Sequence, residues 1–344
     1  MRNNTGKYNK QLSELLNAAT NIVLISHYNP DGDAIGSMLG MNRYLQWRGK
    51  SPVMISPDNI PGFLKWMKGS KSIVIARNTH DKAAAYIRRA DLLIMMDFNN
   101  IDRTGDLKAV ISKSEAKKVL IDHHPGPDVD ADMVISEPSY SSTAELIFIL
   151  IKNIEGEPFI DKEFIEPIYV GMVTDTGNFS YGTFNGDTLR NVALMLDSGL
   201  DRDAVSSRIY DNFSINRLRL QGFALYERLV YLKDSSAAYI YLERDDLARF
   251  KHAVGDTEGF VNLPLSVKDI FISALFIEKK DHIKVSLRSK GDFNASQVAV
   301  NYFKGGGHRN AAGGRYDGTM KQCRDYFEEL AAGIKESVKN KPPV

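Results

Sequence analysis

A chain of 344 residues with 43% hydrophobic and 25% charged residues lies near the averages of soluble globular proteins, which excludes a disordered or fibrous chain and predicts about two domains. A formal charge of +1 supplies no bulk drive toward long nucleic acid, because that binding leans on many Lys and Arg side chains neutralising phosphates. No apolar run approaches the ~20 residues of a membrane span. The amino terminus MRNNTGKYNK lacks the apolar core of a secretory signal, and the single Cys323 can form no intramolecular disulfide, so the expected location is a reducing cytoplasm.

In chain order, the first half alternates short β-rich runs with helical patterns. IVLISHY (22–28), PVMIS (52–56), SIVIA (72–76), LLIMMDF (92–98) and KVLIDHH (118–124) are predicted strands. Nearly continuous apolar strands separated by helices argue for a mainly parallel sheet with helices on both faces. Ligands of such sheets lie beyond the carboxyl ends of the strands. Ser142 and Glu145 read as a capping box ahead of an apolar helix. From 187 to about 232 the spacing of apolar residues turns helical. Strand-like runs return at AAYIYL (237–242), IFISALFI (270–277) and HIKVSLRS (282–289), followed by a Gly-rich loop and a terminal helix near 321–337. The expected fold class is α/β in three parts: a parallel-sheet domain at 1–200, a helical connector at 201–232 and a smaller α/β domain at 233–344.

Acids and histidines cluster where the predicted strands end. His27, Asp31 and Asp33 lie in HYNPDGD, where Pro30 and Gly32 bend the chain into a helix beginning near Ala34. Asp33 serves equally well as a simple cap of that helix. Asp97 ends the apolar run LLIMMD, where an unpaired carboxylate would be costly to bury and a metal would supply a partner. Asp122, His123 and His124 end the next run. Adjacent strand residues point opposite ways, so the two histidines need different roles unless the strand has already ended. Asp175 lies in GMVTDTGNF, between an apolar run and a Gly turn. Taken singly, each is more often a turn former, cap or packed residue. Convergence of such residues on one sheet edge would give an oxygen-rich, partly nitrogenous site suited to Mn²⁺ or Mg²⁺, with room for two ions sharing a carboxylate.

HYNPDGD, Asp97, the DHH triplet at 122–124 and VTDTG resemble the successive motifs of the DHH phosphoesterase family over roughly residues 20–185. GGGHRNAAGG (305–314), preceded by SLRS (286–289), resembles the DHH-associated substrate domain of the same superfamily. The compact length resembles the nanoRNase/pAp phosphatase branch more than the longer RecJ exonucleases. The resemblance implies that His27, Asp31 and Asp97 hold one divalent ion, Mn²⁺ before Mg²⁺, and that Asp33, Asp97, His123 and Asp175 hold a second. Asp97 would bridge, Asp122 would orient a ligand histidine, and His124 would face the substrate phosphate or the leaving oxygen.

Substrate contacts are expected from Gly306, Gly307, His308 and Arg309, with Arg288 nearby, because glycine lets backbone N–H groups approach an anion. Residues 279–315 hold eight basic side chains and two acidic ones, which favours an anion there. The alternative is a flexible turn. Arg103, after Asp97, is a candidate for a phosphate contact and equally a surface arginine. The resemblance implies hydrolysis of short oligoribonucleotides, such as nanoRNA and pApA, and of pAp to AMP. The rivals are a manganese-dependent inorganic pyrophosphatase, which shares the metal motifs but carries a short basic motif in place of GGGH, and a non-catalytic nucleotide-binding module. No obligate protein partner is expected, and a homodimer stays open.

Overall fold

The computed structural model describes residues 5–339 except 157, 158 and 181. Two compact units meet in sequence between Asn212 and Phe213. The stretch expected to be a separate connector, 201–232, is divided between them. Its first helix belongs to the first unit, and its second helix and a short strand pack into the core of the second.

The first unit runs α1 (Gly6–Ala18), β1 (Ile22–Ile25), α2 (Gly32–Trp47), β2 (Val53–Ser56), β3 (Val74–Ile75), α3 (His80–Arg89), β4 (Leu92–Met96), α4 (Lys108–Ser112), β5 (Lys117–Asp122), β6 (Met133–Ser136), α5 (Thr143–Glu155), α6 (Lys162–Asp175), α7 (Gly186–Asp197) and α8 (Arg202–Tyr210). The strands form one parallel sheet in the order β3-β2-β1-β4-β5-β6. Both faces are covered, which is why the strands read as continuous apolar runs. Val23, Ile25, Leu93, Met95 and Leu120 pack with Ile87 of α3 and Ile111 of α4. Leu24, Ile94, Val119 and Ile121 face the other way, into a core with α1, α2, α5 and α6. Strand β6 is four residues at the sheet edge and carries no sequence signal strong enough to predict it.

On that second face α2 and α6 approach backbone to backbone. Gly32, Gly36 and Gly40 recur every four residues along α2. A Cβ at Gly36 would stand 2.3 Å from the Pro167 carbonyl oxygen, and one at Gly32 2.1 Å from Thr174 Oγ1. The start of α2 thereby lies beside the end of α6.

The second unit runs α9 (Ile215–Glu227), β7 (Leu229–Leu232), β8 (Ala237–Leu242), α10 (Arg244–Arg249), β9 (Ile272–Glu278), β10 (Ile283–Ser289), α11 (Ala295–Tyr302), β11 (Gly306–His308), β12 (Ala311–Tyr316) and α12 (Met320–Lys339). Its sheet is ordered β11-β12-β10-β9-β8-β7, with β8 and β9 parallel and the remaining pairs antiparallel. The Gly-rich segment is not a loop, as the sequence suggests, but the β11–β12 hairpin. Its glycines permit close packing: a Cβ at Gly305 would lie 1.9 Å from the Gly313 carbonyl oxygen, and one at Gly314 2.4 Å from that of Phe303. Among the described residues no helix is long and apolar enough to cross a membrane.

Candidate metal centre

The strand order reverses direction between β1 and β4, and in such sheets that switch point opens a crevice at the carboxyl ends of the strands. His27 follows β1 and Asp97 follows β4, so the topology sets them side by side. His27 Nε2 lies 3.4 Å from Asp97 Oδ2 and 3.9 Å from Asp31 Oδ1. His123, just beyond β5, brings its Nε2 to 3.5 Å from Asp175 Oδ2, 3.7 Å from Asp33 Oδ2 and 3.8 Å from Asp97 Oδ1. Ligand atoms of His27, Asp31 and Asp97, and separately of Asp33, His123 and Asp175, all lie within 4.8 Å of one another. Asp97 is thus adjacent to both groups.

Local structure explains each placement. Asp31, and not Asp33, caps α2: its Oδ1 accepts from the N–H groups of Asp33 and Ala34 at 3.0 and 3.1 Å. That frees Asp33, whose carboxylate accepts from Thr143 N (2.7 Å) and Ala144 N (2.9 Å) at the start of α5. A helix N-terminus favours such a negative charge. Asp97 leaves β4 with φ +67°, a left-handed conformation that Asp tolerates better than most residues. It turns its Oδ1 to the Thr143 hydroxyl at 2.9 Å. Asp175 is the last residue of α6 and reaches the cluster because α6 packs so closely on α2.

The two histidines that face these carboxylates are turned the same way. His27 Nδ1 lies 2.9 Å from the Tyr28 carbonyl oxygen and His123 Nδ1 3.4 Å from that of Tyr140. A carbonyl only accepts, so each Nδ1 donates to it and each Nε2 is left on the side of the carboxylates, where a metal ion would take it. Burial lowers His123, but the charges of Asp175, Asp33 and Asp122 outweigh burial and raise it above its usual value, so without metal its Nε2 holds a proton more readily than a free imidazole does. Strand β5 ends at Asp122, which releases the two histidines from strict alternation. His124 Nδ1 donates to Asp122 Oδ1 at 2.7 Å, and its ring packs edge-on against His123.

Electrostatics of the cluster call for cations. Burial pushes Asp97 well above the ordinary carboxylate range, and the charges of Asp33, Asp31, Asp122 and Asp175 push it further. Burial, with the Arg103 charge adding to it, lowers His27 to about 4 and leaves it neutral at pH 7. Burial also drives His124 well below its usual value, helped by His123 and Arg103. The carboxylates of Asp31, Asp33, Asp97, Asp122 and Asp175 crowd together, and divalent ions would offset their mutual repulsion. Oxygen and imidazole donors without thiolate fit Mn²⁺ or Mg²⁺. The residues present therefore fit the group.

The remaining expected residues are placed as follows. Arg103 lies half-buried in the segment after β4, with its charge felt at His27, Asp31 and His124. In the second unit, Arg288 lies on β10 in register with Ser273 of β9 and Ala311 of β12, and donates to the Leu287 carbonyl. Gly306 has nothing closer than Val300 Cγ2 at 4.0 Å beside its missing Cβ, and so has space for a ligand, whereas Gly307 abuts the Ala311 carbonyl oxygen at 2.5 Å. Arg309 is in the hairpin turn, where it donates to Asp292 Oδ1 at 3.0 Å. The His308 backbone is in β11, and its side chain lies outside the described residues. Thr143 escapes the sequence reading, because SSTAE is already accounted for as a helix cap.

Residues 21–172 match the DHH family, N-terminal domain, and residues 237–340 match the DHHA1 domain. An exopolyphosphatase-related protein from Bacteroides fragilis is 38% identical, with a TM-score of 0.91 over 97% of this chain and 98% of that one. The chain belongs to the DHH family. The bifunctional oligoribonuclease and PAP phosphatase NrnA of Bacillus subtilis and that of Thermus thermophilus are also similar to this chain. Each is 27% identical; the alignments cover 85% of this chain and 88% of the first relative, and 95% of this chain and 93% of the second. RecJ in complex with Mn²⁺, also from Thermus thermophilus, shares the fold, with a TM-score of 0.56 at 12% identity over 98% of this chain and 55% of that one. As a DHH-family member, the chain is a hydrolase acting on phosphate ester bonds.

Proposed function

We propose that the chain is a two-metal phosphoesterase that degrades short oligoribonucleotides, dinucleotides such as pApA included, to mononucleotides and converts pAp to AMP. The observation that carries the metal dependence is Asp97, a buried carboxylate placed against His27 on one side and His123 on the other. The substrate class is supported by relatives named as oligoribonuclease and PAP phosphatase that match this chain along most of its length. The DHHA1 match of the second unit supports it over the pyrophosphatase rival, whose short basic motif the sequence lacks.

In this reading His27, Asp31 and Asp97 hold one ion, and Asp33, Asp97, His123 and Asp175 the other. Bound divalent ions supply Lewis acidity, which makes water a nucleophile at neutral pH and offsets charge developing at phosphorus. The chain does the rest. Tyr28 and Tyr140 carbonyls fix the ligand tautomers. Asp122 accepts the Nδ1 proton of His124, and burial keeps that ring neutral, which leaves Nε2 as an acceptor for a proton at the reacting phosphate. Arg103 contributes a positive charge beside that phosphate. In the second unit, Arg288, Arg309, the backbone at Gly306 and Gly307, and His308 are the candidates for a substrate phosphate. A reducing, cytoplasmic setting goes with a chain whose single cysteine can form no intramolecular disulfide.

The test is a substrate panel with Mn²⁺: pAp, pApA, a 5-mer RNA, a 30-mer RNA and pyrophosphate. The expected result is efficient cleavage of the first three and kcat/KM at least about tenfold lower on the last two, a difference of roughly 1.4 kcal/mol. Equal efficiency on pApA and the 30-mer, or preferential release of phosphate from pyrophosphate, would refute the proposed substrate class.

A further inference from the structure

The segment from Tyr140 to Glu145 touches three of the residues that the metal reading uses. The Tyr140 carbonyl meets His123 Nδ1, the Thr143 and Ala144 N–H groups bind the two oxygens of Asp33, and the Thr143 hydroxyl binds Asp97. The segment is itself anchored. Ser142 caps α5 by accepting from Glu145 N at 3.0 Å. The Glu145 carboxylate does not close the capping box on Ser142; it accepts from Ser141 N and Oγ, from Thr188 Oγ1 and from Asn191 Nδ2, which ties the segment to α7. Glu145 and Thr143 are both fully buried. A carboxylate with four donors in a dry environment is a rigid support.

Thr143 has a particular position in this frame. It is the first residue of α5, so its N–H has no partner within the helix and is available to Asp33. Its Oγ1 fixes Asp97 Oδ1, which leaves Asp97 Oδ2 directed at His27 and Oδ1 within reach of His123. The orientation of the Asp97 carboxylate decides which of its oxygens each neighbouring ligand group meets. The left-handed backbone at Asp97 restricts the rotamer, and the hydroxyl selects the orientation.

We propose that Thr143 is a positioning residue that holds Asp97 in the bridging orientation, so that the affinity for the second ion depends on the Thr143 hydroxyl. This rests on the two-metal reading above. Partners of this kind, one bond removed from the metal, commonly change affinity or activity by roughly 10–100-fold when lost. Valine keeps the shape and the N–H to Asp33 and removes only the hydroxyl.

The experiment is a Mn²⁺ titration of metal-free wild type, Thr143→Val and Thr143→Ser by calorimetry and by paramagnetic resonance, with pApA kinetics alongside. Wild type is expected to bind two ions. Thr143→Val should keep the tighter step within about twofold, weaken the weaker step about tenfold, and lower kcat with little change in KM; Thr143→Ser should restore all three. If Thr143→Val does not fold, Thr143→Ala reports the same loss of hydroxyl. Wild-type affinity at both steps in the valine or alanine variant overturns the role of Thr143 and leaves the metal centre standing. Absence of Mn²⁺ binding by wild type overturns both.

Discussion

Asp97→Asn is expected to abolish metal-dependent hydrolysis while making the metal-free protein more stable. Asp97 is 2% exposed, and burial together with four neighbouring carboxylates raises its pKa. A carboxyl group raised in the folded state stabilises the fold most fully below its unfolded pKa of about 3.9, and that contribution disappears as pH rises through the folded value. At pH 8, where the unfolded carboxyl is ionised, this raised group therefore disfavours the metal-free fold. Asparagine removes the ionisable group, keeps an oxygen for the Thr143 hydroxyl and tolerates φ +67°. A gain of about 1–2 kcal/mol, a few degrees in Tm, is expected in chelator-treated protein. Activity on pApA with Mn²⁺ should fall about 10³-fold or more, since losing even one electrostatic stabiliser costs roughly 10²–10³. Calorimetric melting at pH 8 beside a pApA assay checks both; an asparagine variant that melts lower than metal-free wild type would contradict the argument.

Gly36→Ala should unsettle the whole first unit. Its new Cβ would lie 2.3 Å from the Pro167 carbonyl oxygen and 3.0 Å from Gly171 N, both backbone atoms that cannot rotate away. Helices α2 and α6 would have to separate, carrying Asp33 and Asp175 apart. Overpacking of this kind costs about 3 kcal/mol, or about 10 °C in Tm for a unit of this size. Gly222→Ala on α9 is the control. Nothing lies within 4 Å of its Cβ position, and replacing a helical glycine by alanine gains about 0.5–1 kcal/mol. Thermal melts of the two variants should move in opposite directions; an unchanged melt for Gly36→Ala would show that the helices have slack.

What the sequence makes legible follows from where apolar runs stop. His27, Asp97 and His123 stand out because each polar residue ends a strand buried on both faces. The order of those strands is not legible, since it depends on which way each crossover returns, yet the order is what sets His27 beside Asp97. The β11–β12 hairpin is hidden for a different reason. GGH and AAGGRY carry no β-branched residue; AAGGRY becomes a strand by pairing with β10, and GGH by pairing with AAGGRY. The glycines of α2 give a four-residue repeat that can be read in GDAIGSMLG, but the partner that makes it meaningful, Gly171, is 131 positions beyond Gly40 in sequence. Thr143 is hidden by the sufficiency of a simpler role. Its neighbours cap a helix, and nothing local shows that its own hydroxyl faces a carboxylate 46 residues earlier.

One buried carboxylate, Asp97, is expected to serve two ions. The most direct measurement is the number of Mn²⁺ ions bound per chain, titrated while pApA hydrolysis is followed in the same samples. Two ions are expected, with hydrolysis rising only as the second is taken up and vanishing on chelation. A single ion at saturation with full activity, or hydrolysis that persists in chelator, would contradict it.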